Sequence, residues 1–200
     1  GDSRPPREDE LPERRYLAYG TSITEGEAPS AEHLNYASQT ATRLDADLLN
    51  LGSCGTAYAD AAMADHIAGR DDFDVATLAL SVNMVGTFSV DEFRERAEYM
   101  VNTVAGENPE TPVAAVTIYT NARDVCEGVD DDNECEAFRA ALREVVAESP
   151  HDNLHLIEGE EVLDSLVGLT PDLVHPGDDA MIRMGENLAA ELDALLEDAQ

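Results

Sequence analysis

The chain has 200 residues, 43% of them hydrophobic, and carries 43 acidic residues against 12 basic ones, for a formal net charge of -31. All 12 basic residues are arginines, and lysine is absent. So acidic a composition excludes nucleic acid and anionic membranes as partners, because both are bound through basic patches, and it argues against a polyanionic substrate.

A chain of this length suits one domain, able to bury roughly 70% of its unfolded surface. A charge of -31 repels itself at low salt, whereas at molar salt the Debye length falls to ~3 Å and the repulsion is screened. The composition therefore predicts adaptation to high salt. No run of 18 or more apolar residues is present and no charged-then-apolar leader opens the sequence, so neither a transmembrane helix nor a signal peptide is expected. A cytoplasmic location is the expectation, with secretion left open. Cys54, Cys126 and Cys135 lack metal-ligand spacing. Cys126 and Cys135 bracket an acidic stretch, where a disulfide and two thiols are both open.

Residues 1–14 are charged and proline-rich without apolar periodicity and read as a linker or mobile arm. Residues 15–200 read as one unit. Its first strand, about 15–20, stops at the glycine-bracketed Gly20-Thr21-Ser22-Ile23-Thr24-Glu25-Gly26. Leu34, Ala37, Ala41 and Leu44 then recur at helical spacing, which predicts a helix over about 31–44. The second strand, Asp47–Leu51, runs into the small-residue turn Gly52-Ser53-Cys54-Gly55-Thr56. A short helix over about 58–69 precedes a near-continuous apolar run, Val75–Val82, the pattern of a parallel strand covered on both faces. That strand delivers Asn83. Ser89 and Glu92 form a capping-box pair for a helix over about 90–106.

The fourth strand is Val113–Ile118, followed by an irregular segment containing Asp130-Asp131-Asp132. That acidic run lacks the glycine and closing glutamate of a calcium loop, so no metal is expected there. A helix over about 134–148 buries Phe138, Leu142, Val145 and Val146; the fifth strand is Leu154–Ile157. A short helical turn near 160–166 and a long amphipathic helix from Pro176 to about Glu197 complete the chain. Five strands alternating with helices predict a three-layer α/β/α sandwich on a five-stranded parallel sheet of flavodoxin-like order 2-1-3-4-5. In that order Ser22, Gly55 and Asn83 emerge side by side at the C-terminal strand edge, where open α/β sheets bind ligands.

A serine hydroxyl becomes a nucleophile when an imidazole takes its proton and a carboxylate fixes that imidazole's tautomer. Of five histidines, His33, His66, His151 and His155 lie on or beside helices and the fifth strand. His175 stands in the loop before the last helix, three residues after Asp172, at a spacing that lets the carboxylate accept from the ring.

Four blocks together carry a resemblance: Gly20-x-Ser22-x-x-x-Gly26, Asn50-x-Gly52-x-x-Gly55, the strand-ending Asn83, and Asp172-x-x-His175-Pro176. In order and separation they resemble the SGNH (GDSL) hydrolase superfamily over about residues 15–196. The stretch Ser81-Val82-Asn83-Met84-Val85-Gly86 resembles a subgroup of its bacterial and archaeal esterases. The resemblance implies Ser22 as nucleophile, His175 as general base and Asp172 as its orienting acid. It also implies an oxyanion hole of the Ser22 and Gly55 N–H groups and the Asn83 side-chain amide. The family's usual Gly-Asp-Ser has Thr21 in place of the aspartate. The implied reaction is hydrolysis of a small-molecule ester without a cofactor. The low aromatic content, 5%, and the acidic composition favour a small acyl group, such as acetyl on a carbohydrate. A non-catalytic carbohydrate-binding domain and an acyltransferase are the alternatives.

Overall fold

Strand β1, Arg14–Gly20, carries Tyr16, Leu17 and Ala18 with no exposed surface, and successive side chains point to opposite faces of the sheet. Tyr16 and Ala18 join one apolar cluster and Leu17 and Tyr19 the other. Such a strand can only sit in the middle of a sheet covered on both sides. The computed structural model, which describes residues 4–7, 10–80, 82–126 and 134–198, shows that arrangement. The sheet contains β1, β2 (Ala46–Gly52), β3 (Val75–Ala79), β4 (Val113–Val116) and β5 (Leu154–Ile157), all parallel, in the order β2-β1-β3-β4-β5. The order is the one expected from the sequence.

Helices α3 (Ala61–Ala68), α4 (Val90–Glu107) and α5 (Glu134–Glu148) supply the cluster on the Leu17 face. Helices α2 (Tyr36–Arg43) and α7 (Asp178–Asp198) supply the cluster on the Tyr16 face. Two short helices, α1 (Ser22–Glu25) and α6 (Gly159–Val162), follow β1 and β5. The Ser89/Glu92 capping box is present at the head of α4. Cys126 and Cys135 are not joined; Cys135 is buried and its sulfur accepts a hydrogen bond from Asn121 Nδ2. The Asp130–Asp132 run and Ser81 lie outside the described residues.

Two boundaries differ from the expectation for reasons that bear on the site. The helix expected over 31–44 is divided into a 3₁₀ turn, Glu32–Leu34, and α2, with Asn35 between them. Asn35 Oδ1 caps α2 by accepting from Ala37 N, and its Nδ2 donates to Thr24 O, so the residue serves two elements at once and cannot stay helical. The third strand pairs only to Ala79, not Val82; beyond it the chain turns, which brings Asn83 back toward the turn after β2.

Candidate active site

The segment after β1 turns back over the strand ends because two glycines leave room for it. A Cβ on Gly20 would lie 2.1 Å from Thr24 Oγ1, and one on Gly52, its partner across the β1–β2 ladder, would lie 2.1 Å from Glu25 N. The turn forms α1, with the Thr21 hydroxyl accepting from Ile23 N at 3.3 Å as its cap. Thr21 thus has a local structural task of its own. Ser22 O accepts from Gly26 N and Glu27 N at 2.9 and 3.0 Å. Thr24 O accepts from both Asn35 Nδ2 and Asn50 Nδ2 at 2.8 Å, and Thr24 Oγ1 pairs with the buried Tyr36 hydroxyl at 2.7 Å. Asn50, the first residue of the second sequence block, therefore ties β2 to this turn. The outcome is a Ser22 that is 5% exposed, in a turn held at its own carbonyl and at that of Thr24.

Ser22 Oγ lies 2.7 Å from His175 Nε2, and His175 Nδ1 lies 2.7 Å from Asp172 Oδ2. The loop bearing these two residues is closed by an antiparallel bridge between Leu169 and Pro176 and by Thr170 N donating to His175 O at 2.8 Å. Asp172 Oδ1 accepts from Val174 N, His175 N and the Thr170 hydroxyl at 2.8 to 2.9 Å. Partial burial opposes the charged carboxylate, but these bonds and the one from the ring outweigh it and hold Asp172 well below the usual carboxylate range. An ionised Asp172 is an acceptor only, so we assign the ring proton to Nδ1, which leaves Nε2 to accept from the Ser22 hydroxyl. Leu173 adopts a left-handed φ of 55°, rare for a branched side chain, and its carbonyl accepts from Ala122 N at 2.8 Å.

Gly55 stands in the exposed turn after β2 with φ 66°, and a Cβ there would meet nothing within 4 Å, so the backbone dihedral is what requires glycine. The turn is fixed by Ser53 N donating to Gly20 O and by Cys54 N donating to Glu25 Oε2 at 2.6 Å. Ala57 N donates to Asn83 Oδ1 at 3.4 Å, which orients that amide with Nδ2 as its donor end. Ser22, Gly55 and Asn83 thus follow the adjacent strands β1, β2 and β3.

Two acidic residues, Glu25 within the serine turn and Glu27 just after it, stand in the same region. Glu25 holds the Cys54 amide, and Glu27 Oε2 lies 3.2 Å from Cys54 Sγ and 3.4 Å from His175 Nε2. The bond to Glu27 pushes the Cys54 thiol up, keeping it protonated as a donor. Glutamates in so acidic a chain carry no distinguishing sequence signal. The loop that carries Glu27 is tied to the head of α7 through Ser30, whose N and Oγ donate to Asp178 at 2.7 and 2.8 Å.

The sequence model of the GDSL-like lipase/acylhydrolase family matches residues 13–193. No curated protein matches. Among solved structures, a Bacteroides ovatus protein assigned as a GDSL-like lipase superposes with a TM-score of 0.78 at 21% identity, covering 92% of this chain and 54% of that one. The salicylyl-acyltransferase SsfX3 from a tetracycline biosynthetic pathway gives 0.78 at 19% identity, over 91% of this chain and 55% of that one. The chain thus spans about half the length of each. A carbohydrate esterase family 3 protein from Talaromyces cellulolyticus gives 0.69 at 18% identity, over 92% of this chain and 99% of that one. At these identities the likeness is one of fold.

Proposed function

The chain belongs to the GDSL-like lipase/acylhydrolase family, and from that premise we propose that it is a serine esterase acting on small acyl esters. The observation that carries the reading is the unbroken relay Asp172 Oδ2, His175, Ser22 Oγ, with 2.7 Å at each junction. Ser22 attacks the ester carbonyl as His175 Nε2 takes its proton. The Ser22 and Gly55 N–H groups and Asn83 Nδ2 stabilise the oxyanion, a term worth ~10²- to 10³-fold in rate per donor. His175 then protonates the leaving alcohol and activates the water that releases the acid. Asp172 holds the ring in the tautomer this requires and stabilises the imidazolium.

Acetyl on a carbohydrate is the substrate we favour. The carbohydrate esterase from Talaromyces cellulolyticus has this fold over nearly its whole length, and carboxylates of Glu25 and Glu27 flank the site where a long lipid would need apolar surface. Residues 15–200 are the proposed catalytic unit, with 1–14 as an arm. The test is covalent labelling with a fluorophosphonate in molar KCl followed by peptide mapping. The expected result is modification at Ser22 alone; an unlabelled Ser22 overturns the hydrolase and leaves the carbohydrate-binding reading. Product analysis with added alcohol separates hydrolysis from acyl transfer, which would use the same residues.

Adaptation to high salt is proposed on the charge balance. Nine of the arginines already stand within 4.0 Å of a carboxylate among the described residues, so most of the acidic excess has no cation to neutralise it. Melting temperature is expected to rise steeply from dilute buffer to about 2 M KCl, as the Debye length falls from ~10 Å at 0.1 M to ~3 Å at 1 M. A melting temperature independent of KCl removes the proposal.

A further inference from the structure

Glu27 does not sit near the site by chance of a long side chain. Its backbone N–H donates to Ser22 O at 3.0 Å, three residues later Ser30 is fastened to Asp178, and its carboxylate Oε2 rests 3.2 Å from Cys54 Sγ. From there Oε2 lies 3.4 Å from His175 Nε2, the same nitrogen that meets Ser22 Oγ. Among the described residues Oε1 accepts no hydrogen bond, and the side chain is 52% exposed. The carboxylate therefore has an acceptor to offer to something that arrives from solvent.

What arrives is constrained by the proton. The leaving alcohol must take its proton from His175 Nε2, so its oxygen has to come within hydrogen-bond reach of that nitrogen. Glu27 Oε2 borders the same nitrogen, which places it beside the alcohol half of the ester. A hydroxyl on the next carbon of that alcohol is three bonds from the leaving oxygen, close enough to follow it to the side of His175 Nε2 that Glu27 Oε2 borders. An ionised acceptor makes stronger hydrogen bonds than a neutral one and repels an anion brought to the same place.

We propose that Glu27 is a specificity-determining residue, whose carboxylate accepts from a hydroxyl adjacent to the ester on the alcohol, as in a partly acylated polyol or sugar. The inference rests on Ser22 as nucleophile and His175 as general base. It adds which half of the substrate is read and by which side chain.

The test compares kcat/KM for 2-hydroxyethyl acetate with n-propyl acetate, which has the same shape and no donor, in the native chain, Glu27→Ala and Glu27→Gln. The native chain is expected to prefer the hydroxyethyl ester by about tenfold or more, the scale of a hydrogen bond to a charged group. Glu27→Ala should bring the ratio to near one, and Glu27→Gln, which keeps an acceptor without the charge, should fall between. A native ratio near one, or a ratio unmoved in Glu27→Ala, overturns the inference. So does a stronger preference for the acetyl ester of choline, a cation without a donor, because charge alone would then explain the selection. If neither these esters nor p-nitrophenyl acetate is hydrolysed, the esterase reading falls and the inference with it. Hydrolysis without discrimination removes only the inference.

Discussion

Ser22→Ala is expected to lower p-nitrophenyl acetate turnover by about 10⁴-fold or more, because the members of a nucleophile–base–acid relay act as a unit and loss of the nucleophile leaves only binding and oxyanion stabilisation. The fold should not register the change. The Ser22 backbone is held through its carbonyl by Gly26 N and Glu27 N, and the turn by Asn35 and Asn50 on Thr24 O, none of which involves the hydroxyl. One hydrogen bond, to His175, is lost. At about 1 kcal/mol that corresponds to a shift in melting temperature of no more than ~2–4 °C for a chain of this size. Turnover and thermal melting measured on the same preparation check both halves. Turnover equal to that of the native chain would exclude Ser22 as the nucleophile; a collapse in melting temperature would mean that the activity loss says nothing about chemistry.

Much of this arrangement is legible in the sequence, and the reasons are physical. Buried parallel strands are apolar on both faces, so β1 and β3 stand out as runs, and helices with one apolar stripe stand out between them. Ser22, Asn83 and His175 are legible because each is a polar residue at the end of an apolar run or in the loop that crosses the strand ends. The supporting contacts are not legible, since they join residues far apart in sequence whose types are common at surfaces. Asn35 reads as one more polar position on a helix until Thr24 O is seen beside it. Glu27 reads as one of 43 acids. Arg139 lies on α5, where Phe138, Leu142 and Val145 mark the buried stripe, and its type suggests a solvent-facing position; it is in fact 2% exposed.

Arg139→Met is expected to destabilise the chain by ~3–5 kcal/mol, the cost of removing one partner from a buried ion pair, and to slow catalysis besides. The guanidinium donates from Nε to Ile118 O at 3.0 Å, from Nη2 to Tyr119 O at 3.3 Å, and from both Nη atoms to Asp124 at 2.6 and 3.0 Å. Methionine fills similar space and leaves the two carbonyls and the carboxylate without those donors. Asp124 also accepts from Asn121 N, closing the 3₁₀ turn Ala122–Asp124. The N–H of Ala122 in that turn donates to Leu173 O. Leu173 is the strained residue between Asp172 and His175, and a strained conformation persists only while its surroundings over-determine it. With the turn loosened, the loop should relax and His175 should spend less time 2.7 Å from Ser22 Oγ. At ~2–4 °C per kcal/mol the melting temperature should fall by about 10 °C. At temperatures where the variant remains folded, kcat should fall by about tenfold with KM little changed, because alignment and not substrate binding is what the loop controls. Arg139→Lys separates charge from geometry: it keeps the cation but cannot bridge both Asp124 oxygens and the two carbonyls, and should lie between the native chain and Arg139→Met in both measurements. A methionine variant with native melting temperature would show that the Asp124 clamp does not hold the β4–α5 connection. Loss of stability with native kcat would show that the connection is not what positions His175.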